Sequence, residues 1–234
     1  MPEPAPPTFL LYGTAHWCAI ALTFLLAGIA IFQTRRQPPG SGRRGELATA
    51  IGLLLTYPIS MAAWYMDKAI TPHNAYPLNL CNITALLGAI ALIRHHRGIA
   101  ALTYFWGLAG ATQGLLTPAV EAGFPRVSFL IFFFLHGAII ATALYLVYGL
   151  RLRPNYRDIW IAAGALIAYL CVVYPLNRLL GTNYGFVIEK PPTGSMLDLL
   201  GPWPYYIASI LGVAIVAFHV FFLPTLLLRK NSDS

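Results

Sequence analysis

Residues 127–150 read VSFLIFFFLHGAIIATALYLVYGL. These 24 residues hold no Asp, Glu, Lys or Arg, and apolar side chains fall on every side of a helix wound from them. At about 1.5 Å per residue the stretch reaches roughly 36 Å, enough to cross a hydrocarbon core of ~30 Å. A helix that is apolar all round belongs in lipid or in the core of a large protein.

Outward from this stretch, six more apolar runs of spanning length occur, at about 9–32, 47–66, 76–93, 98–117, 158–180 and 203–228. The whole chain is 58% hydrophobic and 10% charged, against about 45–50% and ~25% for soluble domains. The expected fold is all-α, a polytopic bundle of seven transmembrane helices forming a single integral membrane domain over residues 1–234.

Cytoplasmic segments flanking spans carry the excess of Lys and Arg. With the N-terminus outside, Arg35, Arg36, Arg43, Arg44, Arg94, Arg97, Arg151, Arg153, Arg157, Arg229 and Lys230 are inside, against Lys68, Arg126, Arg178 and Lys190 outside. This predicts a cytoplasmic C-terminus. The net charge of +7 then reads as a topology signal and a contact with anionic headgroups, with no nucleic acid as partner. No cleaved signal peptide is expected, because Met1–Pro7 lacks a basic n-region and the first span exceeds an h-region.

Cys18, Cys81 and Cys171 all fall inside predicted spans, without the spacing of a disulfide framework or a zinc site. Neither metal nor cofactor is expected. The carboxylates Glu3, Glu46, Asp67, Glu121, Asp158, Glu189, Asp198 and Asp233 lie in loops or at span ends, so no intramembrane pair is available for aspartyl chemistry. Gly194-Ser195-Met196 does not make a nucleophile elbow.

A thiol and an imidazole remain. Cys81 follows Tyr76-Pro77-Leu78-Asn79-Leu80, with Pro77 expected in the first turn of span three. Cys81, Thr84, Ala85 and Gly88 then share one small-residue face, which suits close helix contact or room for something else. His136 ends the run Phe129–Leu135 in mid-membrane, where ionisable groups are rare and usually functional. On helix counting the two differ in depth by about 7 Å. A buried structural cysteine is the alternative reading of Cys81.

Around this pair, Asn79, Asn82 and Gln113 offer amides to orient the imidazole or to stabilise an oxyanion. Trp106, Gly110, Gln113 and Thr117 form a stripe on span four. His16, Asn183 and Tyr184 approach from the same side, and Arg178 and Lys190 suit a lipid phosphate. The expected partner is a membrane phospholipid or another acyl lipid. The loop of about 22 residues after span six is long enough to line a site. A transporter or small-ligand-binding membrane protein would instead place His16, Gln113, His136 and Asn183 around a watery pocket.

Five motifs in order carry a resemblance: Pro77–Asn82, Tyr104–Gly110, Phe134–Gly137, Leu180–Tyr184 and Leu199–Pro204. With them the chain resembles the YwaF-like family of small bacterial integral membrane proteins. That family is similar to an animal transmembrane acyltransferase acting on ether phospholipids, and more remotely to the androgen-induced transmembrane hydrolases. The resemblance implies acyl transfer or hydrolysis on lipid esters in an outward-facing cavity of a multi-pass protein of the bacterial cytoplasmic membrane. It also implies a nucleophile at Cys81 and a base at His136. The family often has an acidic residue after the cysteine, where Asn82 stands here.

Overall fold

The computed structural model describes residues 8–38, 40–66, 70–118, 120, 122–191 and 196–230. Met1–Pro7, Asp67, Lys68, Glu121, Gly194, Ser195 and Asp233 lie outside them. Among the described residues there is no strand, and the helices are α1 (Thr14–Arg36), α2 (Arg43–Met66), α3 (Leu80–Arg94), α4 (Arg97–Trp106), α5 (Thr112–Leu116), α6 (Val127–Leu144), α7 (Tyr156–Leu180) and α8 (Tyr205–Lys230). A π turn, Gly107–Ala111, joins α4 to α5, and a second, Tyr145–Gly149, extends α6. The described residues therefore form seven helical rods.

Five rods are long and apolar enough to cross a membrane: Thr14–Arg36, Arg43–Tyr65, Val127–Gly149, Tyr156–Leu180 and Tyr205–Leu227. The expected third span differs. Pro77 precedes the helix instead of entering its first turn, Asn79 takes the N-cap position with extended backbone, and α3 is only 15 residues long, about 22 Å. Its other end stops where His95 adopts a left-handed conformation, φ 50°. Span four is the interrupted rod α4–α5.

Helix ends follow local chemistry. Asn155 and Asp158 form a reciprocal capping box at the start of α7, and Gly181 (φ 63°) ends that helix in the left-handed region where glycine is unstrained. Basic side chains gather at one end of the bundle. Arg35 Nε donates to Tyr148 O at 2.7 Å, Arg43 donates to Leu92 O and Ile93 O at 2.6 and 2.7 Å, and Arg97 pairs with Asp158. Glu46, in the first turn of α2, is 6% exposed. It takes hydrogen bonds from Arg43 (3.1 Å) and Tyr145 (2.8 Å) and contacts His95 Nε2 at 2.8 Å.

α6 is the hub of the bundle. α1, α2, α3 and α4 all pack on it, while α7 and α8 pack on each other and on α4. Close approach rests on small residues: a Cβ on Gly88 would sit 3.4 Å from Leu53, Thr103 and Thr142, and one on Gly107 would sit 3.0 Å from Ile139. Across the bundle Tyr104 OH donates to Phe221 O at 2.9 Å and Trp106 Nε1 donates to Ala162 O at 3.1 Å, so α4 is tied to both α7 and α8.

Candidate functional site

Cys81 is the second residue of α3 and His136 the tenth of α6. Their side chains meet: Cys81 Sγ lies 3.3 Å from His136 Nε2. The depth mismatch expected from counting does not keep them apart: α3 starts at Leu80, after the four non-helical residues Tyr76–Asn79. His136 is 7% exposed and Cys81 is half-buried.

The imidazole is held on three sides. Nδ1 lies 2.8 Å from Phe132 O. A carbonyl only accepts, so Nδ1 carries the hydrogen in the neutral ring and Nε2 is left as the acceptor facing the thiol. Phe132 stacks on the ring, with centroids 4.2 Å apart. Gly114 of α5 lies against its other edge, since a Cβ there would be 2.5 Å from Nε2.

Cys81 sits where α3 begins. Asn82 N and Ile83 N already bond to Asn79 O, at 2.9 and 3.2 Å. The Leu80 N–H faces the Tyr169 hydroxyl and the Cys81 N–H faces its own sulfur, in place of the intrahelical acceptors that the first turn of a helix lacks. The positive end of the helix dipole therefore lies beside the sulfur.

The loop after α7 closes over this point. Gly185 N donates to Asn79 Oδ1 at 3.2 Å, and Tyr169 OH donates to Leu78 O at 3.0 Å. Gly185 (φ 68°) has Tyr169 OH 2.6 Å from where a Cβ would stand. Asn177 holds the loop: its Nδ2 donates to Tyr184 O (2.9 Å), while its Oδ1 accepts from Tyr184 N and Thr182 Oγ1 (both 2.8 Å). The Tyr184 hydroxyl donates to Pro72 O at 2.5 Å and accepts from Tyr76 N at 3.0 Å. Burial raises its phenol above the ordinary range. Asn177 was not among the residues singled out from sequence; only its place beside Arg178 at the end of a span pointed to it.

The remaining candidates are dispersed. His16 is wholly buried, with Nδ1 accepting from Tyr12 N at 2.9 Å and Nε2 donating to Leu115 O at 2.7 Å, so both nitrogens are committed to the backbone. Trp106 is buried and bonded to Ala162. Gln113, expected on the Trp106 stripe, is exposed. The π turn accounts for this: its extra residue rotates all that follows by about 100°. Asn82 is half-buried, and its amide has no partner among the described residues. Asn183 shapes the loop, its Nδ2 donating to Glu189 O at 2.7 Å and its Oδ1 accepting from Ile188 N at 3.0 Å. Arg178 is exposed. Lys190 lies 3.9 Å from Asp198 and over the ring of Tyr206.

A cleft of about 1540 Å³ lies between α1, α2 and α6, and none of His16, Cys81, Gln113, His136 or Asn183 lines it. Groups of three or more metal-ligating side chains are absent among the described residues. Comparison with curated proteins and with solved structures gives no match. The TMEM164 family matches residues 11–222, which takes in α1 to α7, most of α8 and both members of the thiol–imidazole pair, and the chain belongs to that family.

Proposed function

We propose that this membrane protein transfers or hydrolyses acyl groups of lipid esters through a thioester on Cys81. The observation that carries this reading is the 3.3 Å contact of Cys81 Sγ with an Nε2 whose ring is fixed in the accepting tautomer by Phe132 O. A Cys–His pair needs no carboxylate to begin the reaction, because the thiol is a strong nucleophile once its proton is taken.

In the first step His136 Nε2 takes the thiol proton as Sγ bonds to the ester carbonyl carbon. The oxyanion develops beside the first turn of α3, where the positive end of the helix dipole favours negative charge. Collapse breaks the carbon–oxygen bond, and the leaving alcohol takes the proton back from Nε2. In the second step His136 accepts a proton from water or from a second lipid's hydroxyl, whose oxygen attacks the thioester. The restored thiol completes the cycle, and the choice between water and hydroxyl decides between hydrolase and transferase.

We further infer that the basic end of the bundle is cytoplasmic and contacts anionic headgroups, that the N-terminus is outside, and that the thiol opens to the outer leaflet of a bacterial cytoplasmic membrane, in keeping with the YwaF-like resemblance. The exposed Arg178 is a cation that could meet a lipid phosphate on that side. Membranes labelled with an alkynyl phospholipid test the reading. Wild type should carry a hydroxylamine-sensitive adduct that Cys81→Ala and His136→Ala lack; equal labelling of all three proteins would end it.

A further inference from the structure

We propose a second lipid site, distinct from the thiol–imidazole pair: the basic half of the cleft between α1 and α2 holds one acyl chain of a phospholipid with an anionic headgroup. α1 and α2 are consecutive and joined by a short loop, yet each packs on α6 rather than on the other. The space left between them is the cleft of about 1540 Å³.

Its lining is what makes it a site. Ala30 of α1, Gly45, Ala48 and Gly52 of α2, and Ala138 and Ala141 of α6 face it. Small residues on membrane helices normally let backbones close on each other. At Gly45 they do not, since a Cβ there would meet nothing within 4 Å, whereas Gly52 closes on Phe134 at 3.3 Å. The room is thus kept for a guest, and a spanning groove bordered by exposed Leu26, Leu55 and Phe134 lies within reach of lipid alone.

Two further observations select the guest. Thr142 lines the same cleft and is 2% exposed, yet its hydroxyl has no hydrogen-bond partner. Such a group is costly in apolar surroundings, and an ester carbonyl lowered into the cleft would accept from it. Arg35, Arg36, Arg43 and Arg44 flank its open end in sequence without lining it, Arg35 and Arg43 being bonded to backbone carbonyls, while the one lining carboxylate, Glu46, is already engaged by Arg43, His95 and Tyr145. That surplus of positive charge favours an anionic headgroup over a zwitterionic one.

The test uses Cys81→Ala protein, so that the thioester reading has no part in it, in phosphatidylcholine nanodiscs with a photoreactive diazirine-acyl phosphatidylglycerol. Labelling of α1, α2 and α6 peptides should saturate at one lipid per chain. Ala141→Trp and, at the open edge, Ala48→Trp should each lower it at least tenfold, whereas Val216→Trp on the lipid face of α8 should leave it unchanged. The double variant Arg36→Gln/Arg44→Gln should remove the preference over a phosphatidylcholine probe. Labelling that never saturates and falls equally on α8 would mean bulk lipid only and overturn the proposal. So would a dimer cross-linked through this face without lipid.

Discussion

The imidazole of His136 fills the space that a side chain on Gly114 would occupy: a Cβ there would stand 2.3 Å from Cδ2 and 2.5 Å from Nε2. Glycine at 114 is thus a condition for the ring's approach to Cys81. Gly114→Ala should push the ring off the thiol and lower Cys81 acylation at least tenfold. Gly110→Ala is the matched control, since its Cβ would lie 3.8 Å from Leu80 in ordinary contact. Labelling retained by Gly114→Ala would show that the pair tolerates a gap.

The thiol–imidazole contact also predicts reactivity without substrate. An imidazole that takes the thiol proton in the transition state is worth about 10²–10⁴ in rate. In a Cys18→Ala/Cys171→Ala background, where Cys81 is the remaining cysteine, His136→Ala should slow alkylation by a membrane-permeant iodoacetamide at least tenfold. Gel-shift counting of unmodified thiol over time reads this directly. An unchanged rate would assign His136 to packing.

Much of this site was legible before any coordinates. His136 was conspicuous because an ionisable group inside an apolar run has to have a partner, and Cys81 because carboxylates and serine motifs were ruled out by position. Their distance was not legible, since it depends on where α3 starts, and Pro77 gives the same signal one residue inside a helix as a few residues before it. Gln113 was misplaced for a related reason: the π turn at Gly107–Ala111 has no mark in residue type, and helical spacing carried through it points the amide to the wrong side. The commitment of His16 to backbone atoms, one of them ninety-nine residues away, is a tertiary fact. The seven apolar runs foretold seven rods, but not that one would be too short to span alone.

At the basic end, Glu46 connects α2 to Arg43, His95 and Tyr145, and Tyr145 in turn accepts from Thr34 Oγ1 at 3.1 Å. This one carboxylate therefore joins four helical segments. Removing one partner of a buried charged cluster strands the others, at a cost of about 3 kcal/mol. Glu46→Ala should lower the unfolding temperature in detergent by several degrees, while Glu189→Ala, an exposed carboxylate in the loop after α7, should shift it by less than one. Equal shifts would mean that the cluster is ornamental.

Asn177 provides the sharpest separation of loop from helix. Its amide makes three hydrogen bonds, to both backbone groups of Tyr184 and to Thr182 Oγ1, and it is 1% exposed. Truncation leaves a buried N–H and carbonyl without partners, which costs about 1–3 kcal/mol for each group. Because those groups belong to the loop rather than to α7, the loss should appear as local opening instead of global unfolding. Asn177→Ala should speed protease cleavage within residues 181–191 at least tenfold while the helical circular dichroism stays unchanged. The adjacent Arg178→Ala, which removes an exposed side chain, should leave cleavage as in wild type. If the loop also closes the approach to Cys81 through the bond from Gly185 N to Asn79 Oδ1, the opened Asn177→Ala protein should expose the thiol to a water-soluble maleimide that wild type resists. Cleavage without a gain in thiol labelling would separate the loop from the site.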